Sequence, residues 1–223
     1  MKIQINGNEV EAGEGDTILE VSRRNGIYIP TLCNHDDLSP VGSCRVCVVE
    51  VKNNGNLIPA CSSPVRSLMN IETGTPRVLQ TRRTNLKLLL ANHADNCLVC
   101  DAANLCELRK VAAELGITNS YFIKSRTALM MDQCHPSIQR DLSKCILCRR
   151  CVRACREIAE KEVWAVAFRG HDSRIVLRDD AELKMEDCED CTVCADVCPV
   201  GALINTSKGR AEKEPCLYEG NIT

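Results

Sequence analysis

Four tightly spaced sets of cysteine constrain this chain more than any apolar pattern in it. Seventeen cysteines occur in 223 residues, and fifteen of them fall into four groups. The groups are Cys33, Cys44, Cys47 and Cys61; His93 with Cys97, Cys100 and Cys106; Cys145, Cys148, Cys151 and Cys155; and Cys188, Cys191, Cys194 and Cys198. Cysteine at this density in a short secreted chain would suggest disulfides. Here the spacing argues otherwise, because side chains two or three residues apart suit ligands around one centre better than disulfide partners. The N-terminal segment Met1–Gly7 lacks the apolar core of a signal peptide. The expected setting is reducing and cytoplasmic, with the thiols binding metal.

The last two groups repeat C-x2-C-x2-C-x3-C, the bacterial ferredoxin spacing, and Pro199 follows the final cysteine. In two-cluster ferredoxins the first three cysteines of each run hold one cubane and the fourth completes the other. One 4Fe–4S cluster is therefore expected on Cys145, Cys148, Cys151 and Cys198, and a second on Cys188, Cys191, Cys194 and Cys155. The first group has the close pair and distant fourth cysteine of plant-type 2Fe–2S ferredoxins, with a longer first gap. The loop Gly42-Ser43-Cys44-Arg45-Val46-Cys47 is small enough for its N–H groups to face sulfur. In the second group three cysteines lack a fourth thiolate, and His93 stands where it can replace one, giving a histidine-ligated cluster. Structural zinc is the alternative at the first two groups. Cys134 and Cys216 remain over, and each reads as an ordinary thiol.

The fold expected is α+β, in modules. Residues 1–75 read as a β-grasp 2Fe–2S domain. It has strands at Lys2–Ile5 and Glu9–Glu11, a helix opened by Thr17-x-x-Glu20 and closed at Gly26, and strands near 46–51, 57–61 and 69–72. Residues 76–116 form a helical segment carrying the second group. One helix starts at Thr75-Pro76, and another spans about 104–115 with Leu105, Leu108, Val111, Ala112 and Leu115 inward. Residues 117–140 are expected to be a connector. Residues 141–205 form a two-cluster ferredoxin-like domain with strands at 163–169 and 174–177, and 206–223 form a tail. Arg149, Arg150, Arg153 and Arg156 flank one cubane motif, and Glu186, Asp187, Glu189 and Asp190 flank the other. These runs read as solvated faces, or as two docking ends of opposite charge.

Net charge of −2 gives no sign of nucleic-acid binding. No apolar run is long enough to span a bilayer, so direct membrane insertion is not expected. The sequence carries no G-x-G-x-x-G and no phosphate-binding loop, so flavin or NAD on this chain is not expected either.

The motifs, in this order, resemble the N-terminal cluster-bearing region shared by the large iron–sulfur subunit of complex I, iron-only hydrogenases, and NAD-linked hydrogenase and formate dehydrogenase subunits. The residues that carry the resemblance include Thr31-Leu32-Cys33, Gly42–Val51, Ala60-Cys61-Ser62-Ser63-Pro64-Val65, His93 with its three cysteines, and Cys106-Glu107-Leu108. It implies one 2Fe–2S cluster and three 4Fe–4S clusters, one of them with a histidine ligand. The length resembles the small diaphorase iron–sulfur subunit of bidirectional, NAD(P)-linked nickel–iron hydrogenases. On that likeness the chain is a non-catalytic electron-transfer subunit. Its expected partners are a flavin- and NAD(P)-binding diaphorase subunit and the small and large hydrogenase subunits. Relay subunits of formate dehydrogenases or bifurcating complexes, and a free-standing redox carrier, are the alternatives.

Overall fold

The computed structural model of the chain describes residues 1–93, 97–118, 135–178, 188 and 191–206. Two compact units divide it, and each is taken by itself.

The first comprises Met1–Ala91 and the stretch that begins at Arg109. Strands β1 (Lys2–Ile5), β2 (Asn8–Glu11), β3 (Val48–Val51), β4 (Asn56–Pro59) and β5 (Asn70–Glu72) form one sheet in the order β2-β1-β5-β3-β4. Within this sheet only β1 and β5 run parallel, so the N-terminal hairpin is stitched beside the last strand. Alternation in β1 buries Ile3 and Ile5 and exposes Lys2 and Gln4, as a one-sided sheet requires. Helix α1 (Ile18–Arg24) starts in a complete capping box: the Thr17 hydroxyl accepts from the Glu20 N–H, and the Glu20 carboxylate accepts from the Thr17 N–H. Gly26, at φ +68°, ends it.

Helix α2 (Pro76–Ala91) is capped by Thr75, whose hydroxyl accepts from the Val78 N–H at 3.2 Å. Val78 and Leu86 are fully buried, whereas Leu79, Leu89 and Leu90 are only half-buried. The stripe between Val78 and Leu86 is completed by Arg82, which is 4 % exposed. Its Nε and Nη2 donate to the Val48 carbonyl at 3.1 and 2.8 Å, so its charge is held among apolar neighbours by β3. Helix α3 (Glu107–Glu114) ends at Gly116, φ +65°. Leu108, Val111, Ala112 and Leu115 are buried as expected, but Leu105 is 88 % exposed. It precedes the first helical turn, so the helical period that would turn it inward does not reach it.

The second unit comprises Asn92–Leu108 and the described residues from His135 onward. Two short ladders pair β6 (Ile138–Arg140) with β9 (Leu203–Asn205), and β7 (Trp164–Ala167) with β8 (Arg174–Leu177), both antiparallel. Helices α4 (Arg150–Glu157) and α5 (Val193–Asp196) lie between. The end of the expected connector is thus a strand, with His135, Ser137, Ile138 and Gln139 buried. Its partner lies more than sixty residues downstream, which no local pattern displays. The core of this unit mixes Ile138, Trp164, Ile175, Leu177 and Leu203 with Cys155, Cys188 and Cys194. No helix among the described residues is long and apolar enough to cross a membrane. Cys134, Cys216, the tail beyond residue 206 and the acidic run at Glu186, Asp187, Glu189 and Asp190 lie outside the described residues.

Candidate metal centres

The first quartet sits in the first unit. Cys33 lies in the loop after α1, Cys44 and Cys47 in the turn that enters β3, and Cys61 just beyond β4. None is more than 5 % exposed. Their thiols form a chain of contacts, Cys44 to Cys33 to Cys61 to Cys47. Cys33 is held well below the ordinary thiol range by thiol hydrogen bonds from Cys44 and Cys61, helped by the N–H groups of Cys44 and Ser43. Cys47 is lowered to about 7, chiefly by its hydrogen bond with Cys61. The donors, Cys44 and Cys61, are pushed up by those same bonds and by burial. The four sulfurs are thus close enough to share hydrogen bonds, and a cationic metal among them would draw off the protons.

The loop is built for close approach. Gly42 has φ +61°, and a Cβ there would lie 2.8 Å from the Ser62 hydroxyl. Arg45 is left-handed at φ +56°, which turns successive N–H groups toward the sulfurs. Helix α2 braces the turn from outside: Asn85 Nδ2 donates to the Arg45 carbonyl at 2.7 Å, and Arg82 holds Val48. The Leu19 N–H donates to the Ala60 carbonyl at 3.0 Å and the Ala60 N–H to the Cys47 carbonyl at 3.1 Å, fixing Cys61 relative to the turn.

The second group lies in the second unit. His93, just past the end of α2, is 6 % exposed, and its Nδ1 is 2.7 Å from the Lys144 carbonyl. That carbonyl can only accept, so Nδ1 carries a proton here, which orients the ring. Cys97 is exposed in a 3₁₀ turn, and Cys100 and Cys106 are half-buried. Residues 94–96 lie outside the described residues. Lys144 also stands near Cys100 and Asp101. Burial lowers its ammonium, but Asp141 and these two acidic groups outweigh that and raise it.

The paired motifs fold back on each other. Leu147 (φ +55°) and Arg149 (φ +59°) are left-handed between the cysteines of the first run. The Leu147 N–H donates to Cys145 Sγ at 3.4 Å. Burial pushes Cys148 up to about 12, in a neighbourhood of Cys198, Cys145 and Arg150, whose N–H and charge pull the other way. Cys151 is raised further by burial, beside Cys148, Cys145 and Cys198. Cys145, Cys148, Cys151 and Cys198 all face one cavity whose other walls are mostly apolar. Cys194 is pushed up to about 12 by burial; the Trp164 indole N–H opposes this by donating to its sulfur, and Cys188, Cys155 and Cys191 surround it. The sulfur neighbourhoods thus cross between the runs. Burial alone favours the neutral thiol, and only a cation among these sulfurs would reverse that sign. The donor set fits a metal cluster. Among the described residues no group of three or more His, Cys, Asp or Glu side chains is arranged for a single metal ion.

Three side chains essential to this arrangement, Arg82, Glu107 and Trp164, carry no mark in the cysteine spacing. Arg150, expected on a basic face, is 4 % exposed. Its Nη1 and Nη2 donate to the two Glu107 carboxylate oxygens at 2.6 and 2.8 Å, and Nη1 to the Val197 carbonyl at 3.3 Å. Arg153 is buried as well, so the expected basic end is in part interior. The Glu107 N–H donates to the Pro199 carbonyl at 2.8 Å. A Cβ on Gly201 would strike the Ala102 Cβ at 2.3 Å. The segment that bears Cys100 and Cys106 is therefore clamped against both cubane motifs.

Comparison with known proteins finds three families matching successive stretches of the chain. Residues 1–76 match the 2Fe–2S iron–sulfur cluster binding domain family, residues 82–120 the NADH-ubiquinone oxidoreductase-G iron–sulfur binding region, and residues 135–204 the ferredoxin-like domain of NADH-quinone oxidoreductase subunit 3. The HndD subunit of the NADP-reducing hydrogenase of Solidesulfovibrio fructosivorans is 39 % identical over 92 % of this chain, and the alpha subunit of the NADPH-Fe(3+) oxidoreductase of Geobacter sulfurreducens is 33 % identical over the same share. The chain spans only 36 % and 24 % of those longer proteins. The gamma subunit of the NAD-reducing hydrogenase HoxS of Cupriavidus necator is 33 % identical over 94 % of this chain and 88 % of its own length. A chain in the crystal structure of an NAD+-reducing NiFe hydrogenase in the H2-reduced state superposes with a TM-score of 0.82 at 32 % identity, covering 95 % of this chain and 90 % of that one. The resemblance read from the motifs is borne out: the chain belongs to the iron–sulfur subunit family that includes the gamma subunit of NAD-reducing hydrogenase HoxS.

Proposed function

We propose that this chain is a cytoplasmic, non-catalytic relay that carries electrons between a flavin- and NAD(P)-binding subunit and the small and large subunits of a hydrogenase. Cys33, Cys44, Cys47 and Cys61 hold a 2Fe–2S cluster. His93, Cys97, Cys100 and Cys106 hold a 4Fe–4S cluster. Cys145, Cys148, Cys151 and Cys198 hold another, and Cys188, Cys191, Cys194 and Cys155 the last. The clusters supply single-electron uptake and release when bound. What supports the relay reading most directly is likeness to a hydrogenase chain over nearly the full length of both chains. The crossed sulfur neighbourhoods support the two cubane ligand sets.

The chain's own residues do three things in this role. They bury the first quartet and half of the paired-motif cysteines away from water, which limits charge screening and lets local dipoles govern potential. They aim N–H groups at thiolates from the left-handed turns at Arg45, Leu147 and Arg149. They hold the His93 ring through its Nδ1 so that Nε2 is presented in one orientation. Native purification with mass spectrometry of bound subunits and an iron count tests the reading. The expected result is a nickel–iron subunit, a flavin subunit and about fourteen irons per chain. A molybdenum or tungsten partner would replace the hydrogenase reading with that of a formate dehydrogenase relay. A chain that purifies alone would make it a free carrier.

A further inference from the structure

Trp164 opens β7 and is the chain's only tryptophan. It is 3 % exposed and packs in one core with Cys155, Cys188 and Cys194. Its indole N–H donates to the Cys194 sulfur. The Arg140 guanidinium, on β6, stands over the ring, 5.9 Å from its centroid. One edge of the ring therefore meets a ligand sulfur while one face meets a cation.

We propose that Trp164, polarised by Arg140, is a positioning residue that raises the reduction potential of the cubane held by Cys188, Cys191, Cys194 and Cys155. This rests on the ligand set proposed above. Reduction adds negative charge that spreads onto the ligand sulfurs, and a hydrogen bond to sulfur strengthens as that charge grows. The reduced form gains more from the bond than the oxidised form, so the potential rises. A cation on the ring face draws electron density from the indole and makes its N–H a stronger donor. It also adds positive potential where little water screens it. The β6–β9 and β7–β8 ladders each hold one of the two residues, which keeps the edge and the face aimed at once.

The test uses the full chain, iron-loaded, with redox titration followed by EPR. Trp164→Phe keeps a ring and removes the donor. One cubane midpoint should move to more negative potential, with iron content and the other three clusters unmoved. Arg140→Gln should move the same midpoint in the same direction by less. Leu177→Val loosens the same core, where Leu177 is 5 % exposed, and should move nothing. A Trp164→Phe midpoint equal to wild type, or a shift of equal size from Leu177→Val, overturns the proposal. If Trp164→Phe fails to load iron, the wild-type chain still decides. Tryptophan labelled with 15N at the indole nitrogen reports Trp164 alone, and pulsed EPR of the reduced chain should show its coupling to one cubane. Absence of that coupling refutes the hydrogen bond. A wild-type chain lacking two cubane signals would instead refute the ligand assignment.

Discussion

Removing Glu107 should damage this protein more than removing its partner Arg150, and the reason lies in unequal burial. The Arg150 side chain is 4 % exposed and that of Glu107 42 %. Glu107→Ala leaves the guanidinium interior and removes the carboxylate that holds both its Nη atoms. Breaking a fully buried pair in this way costs about 3–5 kcal/mol. Water already reaches the carboxylate side, so about 2 kcal/mol is the figure appropriate here. Arg150→Met fills the same space with an apolar stem, loses the bond to the Val197 carbonyl, and leaves Glu107 able to hydrate. That change should cost about 1 kcal/mol or less. The double variant should resemble Arg150→Met, because the buried guanidinium is gone. Loss of clusters makes unfolding irreversible, so the observable is a rate. Bleaching of the visible cluster absorbance, followed anaerobically at fixed urea, should be up to about 30-fold faster for Glu107→Ala than for wild type, and only a few-fold faster for Arg150→Met. Bleaching faster in Arg150→Met than in Glu107→Ala, or a double variant as fast as Glu107→Ala, would refute the argument from burial.

Three further outcomes are expected. His93→Ala should keep most of the iron but alter the EPR signal of one cluster; an unchanged spectrum would exclude His93 as a ligand. Gly42→Ala forces a left-handed residue, costing about 1–2 kcal/mol, and drives a methyl toward the Ser62 hydroxyl. Loading of the 2Fe–2S site should fall, Ser62→Gly should restore it only in part, and full loading of Gly42→Ala would count against the close approach. Iron removal under reducing conditions should unfold the second unit first, because three of its cysteines are part of its core. The first unit buries its four thiols too, but a five-stranded sheet with Ile3, Ile5, Val49 and Ile71 buried stands beside them. Hydrogen exchange should thus rise at residues 138–140 and 203–205 before 48–51 and 70–72, and the opposite order would contradict this.

Much of the fold is legible because it is local. The capping box at Thr17 and Glu20, the Thr75-Pro76 start of α2 and the glycine stop at Gly116 each lie within a few residues of the feature they specify. The crossing of the two C-terminal cysteine runs is legible too, since their fixed spacing encodes a turn that can wrap one centre and reach another. Leu105 and the connector are not. A periodic pattern extended one turn too far places Leu105 inward, and the pairing of Ile138–Arg140 with Leu203–Asn205 leaves no mark on either segment alone.

By itself the sequence determined the cysteine grouping and the family, because metal chemistry restricts residue type and spacing so tightly; the expected module at 76–116 is instead shared between the two compact units. The tertiary structure alone decided which charges are interior and what they touch. Arg82 reaches Val48 across 34 residues, Arg150 reaches Glu107 across 43, and the Trp164 indole meets Cys194 from a different element. Such contacts depend on how distant segments close around the sulfurs, and side-chain burial is a property of that closure rather than of any single stretch of chain.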